Sequence, residues 1–164
     1  MTVHSRGYWE TALDRLTPRT RVFVDGRFRD ALSGATFSRP RSFDGRDGFA
    51  VARGAAADID AAVASAKKAF DDKRWRAKDP AEKKRVMLRW AELVRENAEE
   101  LALLETADVG KPISDALAVD VKSCANTLQF YAEMIDKLYD EVAPTGPNDR
   151  AIVKREPLGV IGAI

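Results

Sequence analysis

The run Arg155-Glu-Pro-Leu-Gly-Val-Ile-Gly-Ala-Ile164 constrains the fold more than any other part of this chain. From Leu158 to Ile164 it is apolar throughout, with two glycines and no charge, the pattern of a strand buried on both faces of a parallel sheet. A parallel strand needs neighbours, and each is reached through a crossover of roughly a dozen residues or more, usually a helix. No such crossover follows in the 164 residues. The expectation is the front piece of a larger α/β protein, truncated within its first sheet strand.

Composition narrows the function classes. Lys and Arg number 27 against 26 Asp and Glu, a net charge of +1, which argues against a nucleic-acid binder with a basic face. The basic cluster Lys83-Lys84-Arg85 sits among acids and reads as a solvated helical face. One cysteine, Cys124, allows no internal disulfide and suits a reducing compartment. The first twenty residues are mixed and charged, with no signal-peptide core, and no apolar run approaches the roughly 18 residues of a membrane span. A cytoplasmic protein is expected.

Residues 1–20 form an adapter with a short helix over Tyr8 to Leu13. Asp25-Gly26, between Arg21–Val24 and Arg27–Arg29, is a hairpin signal. Residues 33–48 are rich in Gly turns, and Phe49 to Ala52 suits a short strand. Helices then dominate. Asp58 and Asp79 are placed to cap two of them, with Pro80 at the first helical position and Glu82 at capping-box spacing. A third runs from near Asn97 to Gly110-Lys111-Pro112, where glycine and proline stop it. A fourth covers about Ser114 to Tyr139, with an apolar seam of Leu117, Val121, Cys124, Leu128, Tyr131, Ile135 and Leu138. A polar turn at Pro144 to Asn148 and an exposed strand from Arg150 to Glu156 precede the apolar run.

No catalytic set emerges from these residues. Cys124 falls in the seam, where a free cysteine packs as a small hydrophobe. His4 is the only histidine, which rules out a His-based triad or multi-His metal site. Gly159 and Gly162 lack the strand-turn-helix setting of a dinucleotide fingerprint and suit close backbone approach instead.

The ordered series Phe23-Val-Asp-Gly-Arg-Phe28, Thr36-Phe37, Asp58-Ile-Asp-x-Ala-Val63, Trp75-Arg76, Leu103-Leu-Glu-Thr-Ala-Asp-Val-Gly-Lys-Pro112, Phe130-Tyr131-Ala132 and Arg155 to Ile164 resembles the N-terminus of aldehyde dehydrogenases. Tyr131 to Pro144 is similar to members that oxidise aminoaldehydes, the gamma-glutamyl-gamma-aminobutyraldehyde type among them. The resemblance implies an α/β fold over residues 21–164: a hairpin, a helical layer and the first strand of a Rossmann-like parallel sheet. It implies NAD(P)-dependent oxidation of an aldehyde to an acid, by a cysteine thiolate with a glutamate base and an oxyanion asparagine. In the family those groups follow the position matching Ile164, so Cys124 takes no catalytic role, no catalytic residue is assigned, and the chain alone is expected to be inactive and to hold no NAD or NADP. By resemblance Ile164 opens the cofactor-contacting segment. Asp108 matches a ligand of a structural monovalent cation near the backbone of Arg39 and Pro40, and Arg41-Ser42 departs from the usual Asn-Pro or Ser-Pro before the turn at Asp44-Gly45. Residues 140–156 match an arm that reaches between subunits of homo-oligomers. A missing C-terminal half is the other expected partner, and a non-catalytic interaction or oligomerisation module is the alternative reading.

Overall fold

A computed structural model describes residues 4–163. Three two-stranded antiparallel hairpins flank a layer of helices. Ser5 caps α1 (Arg6–Asp14) by accepting a hydrogen bond from the Tyr8 backbone N–H at 3.3 Å. The first hairpin pairs β1 (Val22–Val24) with β2 (Arg27–Arg29). Its turn holds Asp25 at φ 53° and Gly26 at φ 75°, the doubly left-handed geometry for which Asp-Gly is suited.

A second hairpin, β3 (Thr36–Pro40) with β4 (Asp47–Ala52), extends through the stretch expected to be mostly turns. Register shifts between Ser38 and Pro40, and there the backbones approach so closely that a Cβ on Gly48 would lie 2.1 Å from the Arg39 carbonyl oxygen. Only glycine fits. The connecting loop is closed by Arg41, whose Nη2 and Nε reach the Asp44 carboxylate at 2.7 and 3.1 Å.

Asp58 does bind free backbone N–H groups, from inside α2 (Ala56–Asp71) rather than from its cap. One oxygen accepts from Ala55 N at 3.1 Å and the other from Leu32 N at 3.0 Å, tying the helix to the turn that follows β2. At 3% exposure it is the buried charge among the described residues, held in the ionised state by those two donors. The capping box expected for α3 (Pro80–Glu96) does not form: Asp79 makes no cap bond and Glu82 pairs with Lys78. Pro80 does open the helix. Helix α4 (Ala98–Val109) ends at Gly110, φ 78°, as Gly-Lys-Pro predicts.

The expected fourth helix is shorter and less regular. A turn, α5 (Ile113–Asp115), leads into a π-helical segment (Ala116–Val121), then α6 (Lys122–Met134). The buried positions are Val121, Ala125 and Ala132, with Leu128 half-buried; Cys124 and Tyr131, placed in the seam by sequence, are exposed. Both readings keep Val121, Leu128 and Ile135 and differ in which neighbours complete the stripe. The structure selects alanines, because α6 lies against α3 and small side chains let the backbones approach. Ala91, Ala102, Ala116, Ala125 and Ala132 are each 0% exposed, and no larger described side chain is so fully enclosed. Lys84 to Asp136 at 2.7 Å and Arg95 to Gln129 at 2.6 Å bind the two helices at opposite ends.

The third hairpin joins β5 (Glu141–Ala143) to β6 (Ala151–Val153). Beyond it the expected sheet strand is not formed. Residues 158–163 have no regular structure, and Leu158 is 95% exposed. Two causes act together: no parallel neighbour is among the described residues, and Gly159 adopts φ 122°, outside the β region. The mixed α/β character expected from sequence thus stands as hairpins beside a helical layer.

Candidate functional site

Cys124 is the natural first test for a nucleophile. It is exposed on α6, and no hydrogen bond to its thiol occurs among the described residues. The histidine that could activate it is elsewhere: His4 Nε2 lies 3.0 Å from Glu99 Oε1, and its ring stacks on Tyr8 at 3.8 Å. Tyr8 donates to the other oxygen of Glu99 at 2.7 Å. His4 and Tyr8 thus pin α1 to the start of α4, a structural use of both groups.

Carboxylates give no base either. A general base is tuned upward by burial, toward neutral pH. Here the carboxylates whose acidity is perturbed all run the other way. Asp72 is lowered to about 2, chiefly by hydrogen bonding to Arg74, and Asp136 to about 2 by Lys84 and then Lys137. Asp58, Glu82 and Glu99 are also lowered, by the Ala55 and Leu32 amides, by Lys78, and by Tyr8 and His4 respectively. These are surface ion pairs and capping contacts, which shape the fold and move no protons.

Beside α6, an open groove of about 580 Å³ is lined by Val119, Ser123, Thr127, Phe130 and Tyr131. The two rings meet edge to face at 5.3 Å and stand more than half exposed. The groove offers hydroxyls and aromatic faces, with Lys122 as its charged wall. It holds no acid–base pair.

Asp108 sits at the last turn of α4, where its backbone carbonyl accepts from Ser42 Oγ at 2.8 Å. Ser42 therefore docks the Arg41–Arg46 loop on this helix end. The Asp108 carboxylate is exposed and makes no hydrogen bond among the described residues. It shares a groove of about 920 Å³ with Arg39 and Pro40. One carboxylate with nearby backbone carbonyls is a donor set of the right kind for a hard cation. No group of three or more His, Cys, Asp or Glu side chains gathers among the described residues. Ile164, the expected cofactor contact, lies outside the described residues.

Sequence reasoning missed the Glu99 anchor and β3. No local signal joins Glu99 to residues more than ninety positions away, and β3 was hidden by flanking Gly turns. No helix among the described residues is long and apolar enough to cross a membrane.

Comparison with known proteins identifies the family of this fold. Residues 31–164 match the aldehyde dehydrogenase family. The chain is 47% identical over 88% of its length to an aminoacetaldehyde dehydrogenase of Pseudomonas aeruginosa, of which it covers 29%. It is 39% identical over its whole length to the NADP/NAD-dependent aldehyde dehydrogenase PuuC of Escherichia coli, covering 33% of that protein. Among solved structures, the aldehyde dehydrogenase KauB from Pseudomonas aeruginosa superposes with a TM-score of 0.92 at 48% identity, over 96% of this chain and 32% of that one. The chain spans about a third of the length of these relatives. It belongs to the aldehyde dehydrogenase family, NAD(P)-dependent oxidoreductases, and corresponds to an N-terminal portion of its members.

Proposed function

We propose that this chain acts as the N-terminal part of an enzyme that oxidises an aldehyde, of the aminoaldehyde class, to a carboxylic acid with NAD or NADP. Polypeptide beyond these residues supplies the thiolate nucleophile and the base. The observation that carries the reading is the match of residues 31–164 to the aldehyde dehydrogenase family, in a chain that spans about a third of its relatives' length. The similarity to aminoacetaldehyde dehydrogenase and to a gamma-glutamyl-gamma-aminobutyraldehyde dehydrogenase, 45% identical over 85% of this chain, supports the substrate class.

The cofactor would accept hydride from the substrate. This chain's own contribution is support: α3, α4 and α6 make a platform, and Asp108 with the Arg39 backbone would hold a monovalent cation at the edge of the β3–β4 hairpin. The β5–β6 arm, exposed at every strand position but Ala143, suits contact with another subunit. The purified chain, given an aminoaldehyde and NAD or NADP, is expected to form no NADH or NADPH. Turnover above the protein-free rate would overturn the site argument.

A further inference from the structure

We infer that residues 4–19 form a hinged arm, latched at Glu99, that holds the π-helical wall of the α6 groove in place. The family match begins at residue 31, so the arm stands outside it and the inference goes beyond the family role.

Its polar attachment defines the arm. Among the described residues, its hydrogen bonds to the rest of the molecule converge on one carboxylate. His4 Nε2 lies 3.0 Å from one Glu99 oxygen, and the Tyr8 hydroxyl donates to the other at 2.7 Å. The rings of His4, Tyr8 and Trp9 cluster at that contact, with centroids 3.8 to 5.3 Å apart. The next backbone tie comes at Thr20, whose carbonyl accepts from Ala52 N at 2.8 Å, and there the arm is hinged. No residue of α1 is buried, and a helix of nine residues is too short to persist alone in water. Its helical form therefore depends on the latch.

What the arm covers gives it a role. Between α1 and the start of α4 lies a cleft of about 890 Å³, lined by Tyr8, Trp9 and Glu99 and reaching Leu103 and Leu117. Leu103 is 5% exposed, and Leu117 packs on the buried cluster that includes Ala102, Ala116 and Val121. Leu117 belongs to the π-helical segment, whose next two residues, Ala118 and Val119, line the α6 groove. One short segment thus borders both cavities. Asp120 ties its far end to Lys111, while apolar packing at Ala116 and Leu117 holds its near end. π-helical turns are rare and gather at functional sites. Undocking the arm opens the cleft to water, uncovers Leu117 and lets this wall open locally.

The test compares the full 164-residue chain with a His4→Ala/Tyr8→Phe variant and with the milder Tyr8→Phe. Arm release is read by tryptic cleavage at Arg15, and the state of the wall by amide hydrogen exchange. The double variant should be cut faster, and its amides over residues 116–121 should exchange about tenfold faster or more, with α2 unchanged. Tyr8→Phe should move both readouts the same way by less. Faster cleavage with unchanged exchange over 116–121 would overturn the coupling, and unchanged cleavage would overturn the latch. A rise that extends equally into α2 would mean general loosening and would overturn the inference as well. None of these outcomes bears on the family role.

Discussion

Glu99 carries the contact most exposed to titration. Tyr8 and His4 hold its carboxylate below the ordinary 4.5, and the same bond raises the Tyr8 phenol above 10.0. A lowered acid stabilises the fold above its unfolded value and loses that contribution as pH falls through the folded one. A raised phenol does so below its unfolded value and loses it as pH rises. The α1 pin is therefore firm between roughly pH 5 and 9. Glu99→Gln should speed tryptic cleavage at Arg15 and Arg19 at neutral pH, and at low pH the wild type should approach the variant's rate. Asp58 obeys the acid half of the same rule: it is lowered by the Ala55 and Leu32 amides. Asp58→Asn keeps one acceptor of two. Its thermal midpoint should fall by roughly 2–8 °C at neutral pH, and the gap from wild type should narrow as pH drops below 4.

Among the elements, the α3–α6 contact separates the two readings of the seam. Ala125 is fully enclosed, so Ala125→Leu should overpack the contact and cost about 1–3 kcal/mol by denaturant unfolding. Cys124→Leu, one residue away on the exposed side, should change stability by less than about 0.5 kcal/mol. Equal costs would restore the sequence-based seam. The difference is instructive about what was legible. The Asp25-Gly26 turn, Pro80 and Gly110 were readable because each is a local backbone requirement. The phase of α6 was not, because hydrophobicity favours Cys124 and Tyr131 over Ala125 and Ala132, while the packed helix favours whatever is smallest. The π-helical segment also shifts that phase, and no residue type announces it. Glu82 had capping-box spacing yet found Lys78 closer to hand. For the candidate site, the proximity of Asp108 to Arg39 and Pro40 came from the resemblance, and the structure adds the groove that the three residues share. If Asp108 holds a monovalent cation, exchanging potassium for choline should lower the thermal midpoint of wild type and leave Asp108→Asn unmoved.

At the scale of the whole molecule, one quantity connects fold and function. Burial scales with size, and this chain leaves about half again as much surface in water as a folded monomer of its mass, roughly 12,000 against 8000 Å². Its most enclosed side chains are alanines, and its aromatic residues Trp90, Phe130 and Tyr131 face outward. A helical layer with apolar residues on both sides behaves as the middle of a larger body, in agreement with relatives about three times its length. Amide hydrogen exchange across residues 158–163 of the isolated chain tests this most directly. The account predicts exchange near the unstructured rate, because those backbone groups lack strand neighbours. Protection of about a hundredfold or more, in a monomer, would mean the chain covers its own apolar run and would contradict the account.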